Sequence, residues 1–349
     1  MNIKERLDLV TRNTEEIITK EELRKLLEEK KNPSAYVGYA PTGRLHAGYL
    51  IPILKIGDLL KAGFKFKFLI ANLHAHLDDR KSPWHLLDAR SIYYQEMVRA
   101  ILESLKVDAS GLRFVKGSDF QLTSGYVSDV LRLSTELTSK RALHSASEVC
   151  RTENPKVSTL IYPIMQALDE QYLDVDVQLG GMDQRKILVM AREYLPKLGY
   201  MPRIEVMTPL LPGLTGGKMS ASDEKSKIDL LDPENIVEEK IKKAYCKEGE
   251  KKDNGILAFC EYFLFPYKNK LKIERPEKFG GNVTYEDYKD LERDFISRKL
   301  HPMDLKQAVS AELNEVLDPI RKKFEKKKKL LKEAYPDPLK KTLYSRNKI

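Results

Sequence analysis

The chain has 349 residues, 42% apolar and 32% charged, enough for two domains that each bury a core. No apolar run approaches the roughly 18 residues of a membrane helix, and residues 1–30 mix acids and bases through an amphipathic pattern, so a cytoplasmic protein with no membrane partner is expected. The net charge of +9 is localised: residues 321–349 carry twelve Lys or Arg against three acids, a tail suited either to phosphate backbones or to a solvated helix face.

In chain order, Thr19 with Glu22 forms a capping box ahead of a short helix over 21–29. A strand over 35–40 runs into Pro41-Thr-Gly43, and a helical pattern over 46–60 stops near Gly63. A second strand over 65–71 precedes a long helix with Ser82 as its cap and Pro83 at its first position. Strands over 113–116, 174–179 and 203–207 then alternate with helices around 126–150, 157–173 and 183–194, the order of an α/β, doubly wound and largely parallel sheet. Beyond Asp232-Pro233 the segments 234–245, 253–265, 284–298 and 302–331 read as helices, broken by Gly280-Gly281 and His301-Pro302. Two domains are therefore expected, 1–232 and 233–349, the second α-helical. Cys150, Cys246 and Cys260 show no C-x-x-C spacing and read as reduced core thiols; no metal-binding cluster is expected.

Ligands of such a sheet lie at the carboxyl ends of its strands, where helix N-termini present free N–H groups. The first strand delivers Pro41-Thr-Gly-Arg-Leu-His-Ala-Gly-Tyr49 there. Gly43 would allow a tight turn, His46 would donate to a phosphate, and Gly48 would let a purine ring approach the backbone. A second element, Pro212-Gly-Leu-Thr-Gly-Gly-Lys-Met-Ser-Ala-Ser222, offers the Lys218 cation for a pyrophosphate and the Ser220 and Ser222 hydroxyls with the Ala221 amide for phosphate oxygens. Tyr162, Gln166 and Asp169, four and three residues apart, share one face of a helix whose other neighbours are apolar. A buried Asp there needs a partner.

His46-Ala-Gly-Tyr49 and Lys218-Met-Ser-Ala-Ser222 resemble the paired nucleotide motifs H-x-G-H and K-M-S-x-S of the class I aminoacyl-tRNA synthetases, with Tyr49 where the second histidine stands. Tyr162-Pro-Ile-Met-Gln166-Ala-Leu-Asp169, Gly180-Gly-Met-Asp-Gln184-Arg-Lys186 and Tyr36-Val-Gly38 are similar to the tyrosine pocket of the archaeal and eukaryotic tyrosyl-tRNA synthetases. That resemblance covers essentially the whole chain and implies a Rossmann-like catalytic domain followed by a helical anticodon-binding domain. It implies that Tyr36 and Asp169 hold the substrate phenol, that Tyr162, Gln166 and Gln184 hold its ammonium group and ring edge, and that Phe279, Asp304 and Arg185 contact tRNA. It also implies ATP as co-substrate, Mg²⁺ accompanying it, and a homodimer. A tryptophanyl-tRNA synthetase would share the fold and both motifs but has less use for the Tyr36 and Asp169 pair. A small-molecule nucleotidyltransferase would leave the helical domain unexplained, and a non-enzymatic RNA-binding relative would be expected to lose Lys218 or the pocket acids. If the basic tail binds tRNA, deleting residues 326–349 should weaken tRNA binding and spare adenylation; the alternative is a tail that packs on the second domain.

Overall fold

The computed structural model describes residues 1–150, 152–216 and 226–336. Six strands form one sheet: β1 (Glu16–Ile18), β2 (Ser34–Tyr39), β3 (Lys65–Ile70), β4 (Leu112–Lys116), β5 (Val177–Gly181) and β6 (Ile204–Thr208). Their spatial order is β1-β6-β5-β2-β3-β4, all parallel except for the β1 edge. The chain winds outward from β2 through β3 to β4, then returns to place β5 on the other side of β2. That reversal is the topological switch point, where open α/β sheets bind ligands. The β2–β5 pairing lasts only from Ala35 opposite Val177 to Tyr36 opposite Gln178, so a crevice opens between the carboxyl halves of the two strands.

The inner parallel strands β5 and β6 are buried on both faces, as their apolar runs require, while β4 at the edge is only partly covered. Phe66, Phe68, Val177 and Val206 pack against the helices Leu50–Lys61 and Leu87–Ser104 in one large core. A separate cluster joins Ile164 and Leu168 of helix Val157–Tyr172 to Ile187 and Met190 of helix Arg185–Tyr194.

The doubly wound α/β architecture expected from the strand order is what the chain forms, and most elements lie within two residues of their sequence-read limits. The Thr19 capping box is present in both directions, with Thr19 Oγ1 accepting from the Glu22 N–H and Glu22 accepting from the Thr19 N–H. Ser82 and Pro83 do not start the long helix: a 3₁₀ turn, Trp84–Leu86, intervenes, and the helix begins at Leu87. The span 126–150 is two helices, Ser124–Glu136 and Ser139–Ala146, because Leu137 is extended and Thr138 caps the second. Among the described residues after Pro233 the regular elements are helical except for a two-stranded hairpin, Leu271–Ile273 with Val283–Tyr285. Gly280 and Gly281, at φ +100° and +67°, make the turn of this hairpin, a backbone region that side chains with a Cβ resist. Helix Pro302–Glu325 is 24 residues long and packs along helix Leu87–Ser104, where the buried Ser104 hydroxyl donates to the Val316 carbonyl at 2.6 Å. None of the described helices is long and apolar enough to cross a membrane.

Candidate active site

A cavity of about 380 Å³ fills the crevice at the switch point, within the size range of small-molecule sites. Its lining runs from Tyr36 and Asp169 at one end, past Tyr162, Gln166 and Gln184, to His46, Gly48 and Tyr49 at the other. The residues expected to hold an amino acid and those expected at the nucleotide turn thus face one space. Lys218, Ser220, Ala221 and Ser222 lie outside the described residues.

The deep end is built around Asp169, which is 1% exposed. Gln121 Nε2 donates to its Oδ1 at 2.7 Å, and the Tyr126 hydroxyl lies 2.8 Å from the same oxygen and 2.7 Å from the Met165 carbonyl. Among the described residues no hydrogen bond reaches Oδ2, whose near neighbour is His74 Nε2 at 4.0 Å. Burial raises the Asp169 carboxyl to about 7, against the opposing pull of Gln121 and Tyr126. His74 is buried, stands edge-on to Tyr162 at 4.7 Å, and is pushed down to about 4 by burial, against a smaller opposing pull from the Tyr162 backbone. It is therefore a neutral wall at physiological pH. Tyr36, 1% exposed, directs its hydroxyl toward the Gln166 carbonyl at 3.5 Å, and Gln166 Nε2 donates to Gln184 Oε1 at 3.0 Å.

Gln121 and Tyr126 were not singled out in the sequence. Gln121 reaches Asp169 from the turn after β4, where a Cβ on Gly117 would stand 2.5 Å from the Gln121 side-chain Oε1 and would displace that amide from its present position. Asn72 holds the same turn, donating to Ser118 Oγ and accepting from the Ser118 N–H, both at 3.0 Å. No local pattern marks such residues, since the pocket collects them from positions about 50 apart in the chain.

At the other end, His46 caps a 3₁₀ turn, Ala47–Tyr49, and its Nδ1 accepts from the Gly48 N–H at 3.2 Å. Burial, with a smaller contribution from Lys227, pushes this imidazole down to about 4. A neutral ring whose Nδ1 is an acceptor carries its proton on Nε2, so His46 is set as a hydrogen-bond donor. Tyr49 stands edge-on to His46 with ring centroids 4.8 Å apart, so the residue replacing a second histidine supports the first. Residues 44–47 are pinned from outside: the Ala47 N–H donates to the Ile228 carbonyl at 2.8 Å, and Arg44 pairs with Asp229 at 2.8 Å. Gly43 does not adopt a left-handed φ. Its contribution is its carbonyl, which accepts from the Tyr94 and Tyr335 hydroxyls, each at 2.8 Å.

The residues expected to meet tRNA are dispersed. Arg185 is exposed at the mouth side of helix Arg185–Tyr194 and forms a two-point pair with Glu16 at 2.5 and 2.8 Å. Phe279 is 60% exposed beside the hairpin turn, with Lys278 over its ring at 4.9 Å. Asp304 sits in the first turn of helix Pro302–Glu325. The three cysteines are free, Cys150 and Cys260 buried and Cys246 half-buried.

Residues 28–318 match the family model of the class I tRNA synthetases for tryptophan and tyrosine. The tyrosine–tRNA ligase of the archaeon Haloarcula marismortui is 48% identical over 342 residues, covering 97% of this chain and 99% of the relative. The cytoplasmic tyrosine–tRNA ligase of Danio rerio is also 48% identical, over 96% of this chain, but the chain spans only 64% of that protein's length. The crystal structure of the Archaeoglobus fulgidus tyrosyl-tRNA synthetase complexed with L-tyrosine superposes with a TM-score of 0.87 at 45% identity, over 92% of this chain and 99% of the other. A tryptophanyl-tRNA synthetase from Aeropyrum pernix, at 18% identity and a TM-score of 0.68, shares the fold. With its switch-point crevice, its buried Asp169 and these relatives together, the chain belongs to the tyrosine–tRNA ligases of the class I tRNA synthetase family.

Proposed function

We propose that this chain activates L-tyrosine with ATP and transfers it to the 3′ end of tRNA(Tyr). The observation that carries this reading is the deep end of the crevice: a buried Asp169 with one oxygen satisfied from behind and the other left toward the cavity, beside the Tyr36 hydroxyl. A phenol hydroxyl pairs both groups, whereas phenylalanine leaves them unpaired in a dry site. Discrimination by unpaired polar groups is strong, and tyrosyl-tRNA synthetase is itself the standing example, at about 10⁵ against phenylalanine.

In the first step the tyrosine carboxylate attacks the α-phosphate of ATP, forming the mixed anhydride and releasing pyrophosphate. A carboxylate needs no general base at neutral pH, so catalysis rests on positioning and on donors aimed at phosphoryl charge. The His46 Nε2–H and the backbone amides of the turn that includes Gly48 serve that role, with Lys218, Ser220, Ala221 and Ser222 assigned to the pyrophosphate. Tyr162, Gln166 and Gln184 hold the ammonium end. Mg²⁺ enters with the phosphates of ATP. In the second step a terminal ribose hydroxyl of tRNA attacks the adenylate carbonyl and expels AMP. Residues 233–349 act as the anticodon-binding domain, in which the exposed Phe279 offers a base-stacking surface and Asp304 an acceptor for a base edge. Arg185 contacts tRNA near the mouth, and the protein works in the cytoplasm. Pyrophosphate exchange tests the reading: it should depend on tyrosine and show no signal with phenylalanine or tryptophan at equal concentration. Equal exchange with tryptophan would refute it.

We also propose a homodimer. Leu122, Val127 and Leu131 are exposed in the connection from β4 to β5, the last two one turn apart on helix Ser124–Glu136. An apolar stripe of this kind marks an interface. Leu131→Glu should shift the protein from dimer to monomer in sedimentation velocity while leaving its circular dichroism unchanged.

A further inference from the structure

Beneath the phenol end of the crevice lies a second polar layer that the reaction does not use. Tyr36, Gln178 and Glu205 are neighbours in register across β2, β5 and β6, so their side chains leave the same face of the sheet. Glu170, next to Asp169, descends onto that face from helix Val157–Tyr172. Glu170 and Glu205 are both 0% exposed and Gln178 is 2% exposed. All four carboxyl oxygens and Gln178 Oε1 have no hydrogen-bond partner among the described residues.

The nearby cations do not supply the missing donors. Arg192 donates to the Ile18 and Arg203 carbonyls and to Glu22, while Arg203 donates to the Met201 carbonyl and to Gln171. Arg203 Nε is itself buried without a partner among the described residues, a single cationic N–H against five acceptor oxygens, so the layer is short of donors. Two ionised carboxylates in that position would lack hydrogen bonds and would repel each other. A proton on a carboxyl oxygen converts an acceptor into a donor and resolves the conflict. Burial pushes both acids well up, each raised further by a neighbouring acid and lowered by Arg192 and Arg203. The other groups bearing on the pair are Asp169 on the same helix, Glu22 from helix Lys20–Glu29, and the Tyr36 hydroxyl on β2.

We infer that Glu170 and Glu205 hold at least one proton between them at neutral pH and, through Gln178, act as positioning residues for the Tyr36 hydroxyl that meets the phenol. The second half of this statement rests on the tyrosine-pocket reading above; the first does not. Loss of the shared proton at alkaline pH leaves an unpaired charge behind Tyr36 and loosens the pocket, so tyrosine affinity falls while nucleotide binding holds.

Two measurements on the full chain test it. Infrared spectra at pH 8.5, where Asp169 is ionised, should contain a protonated-carboxyl C=O band that disappears in E170Q/E205Q, whose amides mimic the neutral acids. In pyrophosphate exchange, the wild-type KM for tyrosine should rise between pH 8.5 and 10 by up to about tenfold per unit more than that of the double variant, the limit for a one-proton linkage, with kcat and the KM for ATP changing alike in the two proteins. The double variant, which has no shared proton to lose, should show only the change that ionisation of the tyrosine ammonium group brings to both proteins. No difference in the carboxyl band between wild type and E170Q/E205Q overturns the shared proton. A band that disappears with identical KM profiles in the two proteins overturns the positioning role. Absence of tyrosine-dependent exchange in both proteins would refute the pocket reading and leave the infrared result standing by itself.

Discussion

Asp169→Asn should nearly abolish tyrosine activation while making the protein more stable at alkaline pH. The two effects have one cause. The carboxyl is fully buried and raised to about 7 from an ordinary value of 3.8, so folding becomes progressively costlier as pH rises from about 4 through 7. Stability linked to this group is complete below the unfolded value and declines as pH passes the folded one. Asparagine cannot ionise, and its carbonyl still accepts from Gln121 and Tyr126 in the geometry that Oδ1 now uses. The variant should therefore gain in melting temperature over wild type at pH 8.5 and gain little at pH 5. Activation moves the other way, because the amide places an N–H donor where the phenol hydroxyl needs an acceptor. A lost buried contact to a charged group is worth about 2–3 kcal/mol, so kcat/KM for tyrosine in pyrophosphate exchange should fall by roughly 30- to 100-fold, with the KM for ATP little changed. The same titration gives wild type an acid limb: kcat/KM for tyrosine should decline below about pH 7 as Asp169 takes up its proton. Near-wild-type exchange by Asp169→Asn would remove Asp169 from the phenol site.

The contrast between Asp169 and its partners shows what a linear sequence exposes. Tyr162, Gln166 and Asp169 were legible because helical spacing puts them on one face, and His46 and Gly48 because a strand, a turn and a helix start follow one another within fifteen residues. The parallel sheet could be read from the alternation of strand and helix, and the switch point followed from it. Gln121, Tyr126 and His74 reach the same pocket through long-range packing, and single polar residues carry no period. Glu205 is hidden differently: on a strand it looks like the polar half of an alternation, and only the register with Gln178 and Tyr36 shows it buried. The β1 edge strand is three residues long, too short for any pattern. The hairpin after residue 270 was lost because three-residue strands sit among stronger helical signals.

Deletion from Lys326 should impair adenylation as well as tRNA binding, contrary to what charge alone suggests. The tail does not stop at the second half of the chain. Tyr335 crosses to the catalytic half, donates to the Gly43 carbonyl at 2.8 Å, and packs edge-on against Tyr93 with centroids 5.1 Å apart. Arg90, 8% exposed, lies over the Tyr335 ring at 4.8 Å and spans the Ala334 carbonyl at 3.1 Å and the Thr42 carbonyl at 2.6 Å. Thr42 and Gly43 begin the turn that ends at His46, so the tail braces the turn proposed to meet the nucleotide. Several of its cations are also engaged, Lys323 with Glu103 at 2.5 Å and Lys327 with Glu96 at 2.9 Å. Such exposed pairs are weak enough to be exchanged for phosphates. Two truncations separate bracing from charge. Removal of residues 326–349 should cost about 3 kcal/mol or more, the lower range for losing a packed aromatic side chain, and should lower the adenylation rate at 25 °C. Removal of residues 337–349 keeps Tyr335 and Arg90 in place but deletes Lys340, Lys341, Arg346 and Lys348. That shorter truncation should keep its melting temperature and adenylation rate, and if all four cations neutralise tRNA phosphates, the slope of log K against log salt should fall by about 3. Normal adenylation by a stably folded truncation at Lys326 would show that the Thr42–Gly43 turn holds its shape without the tail.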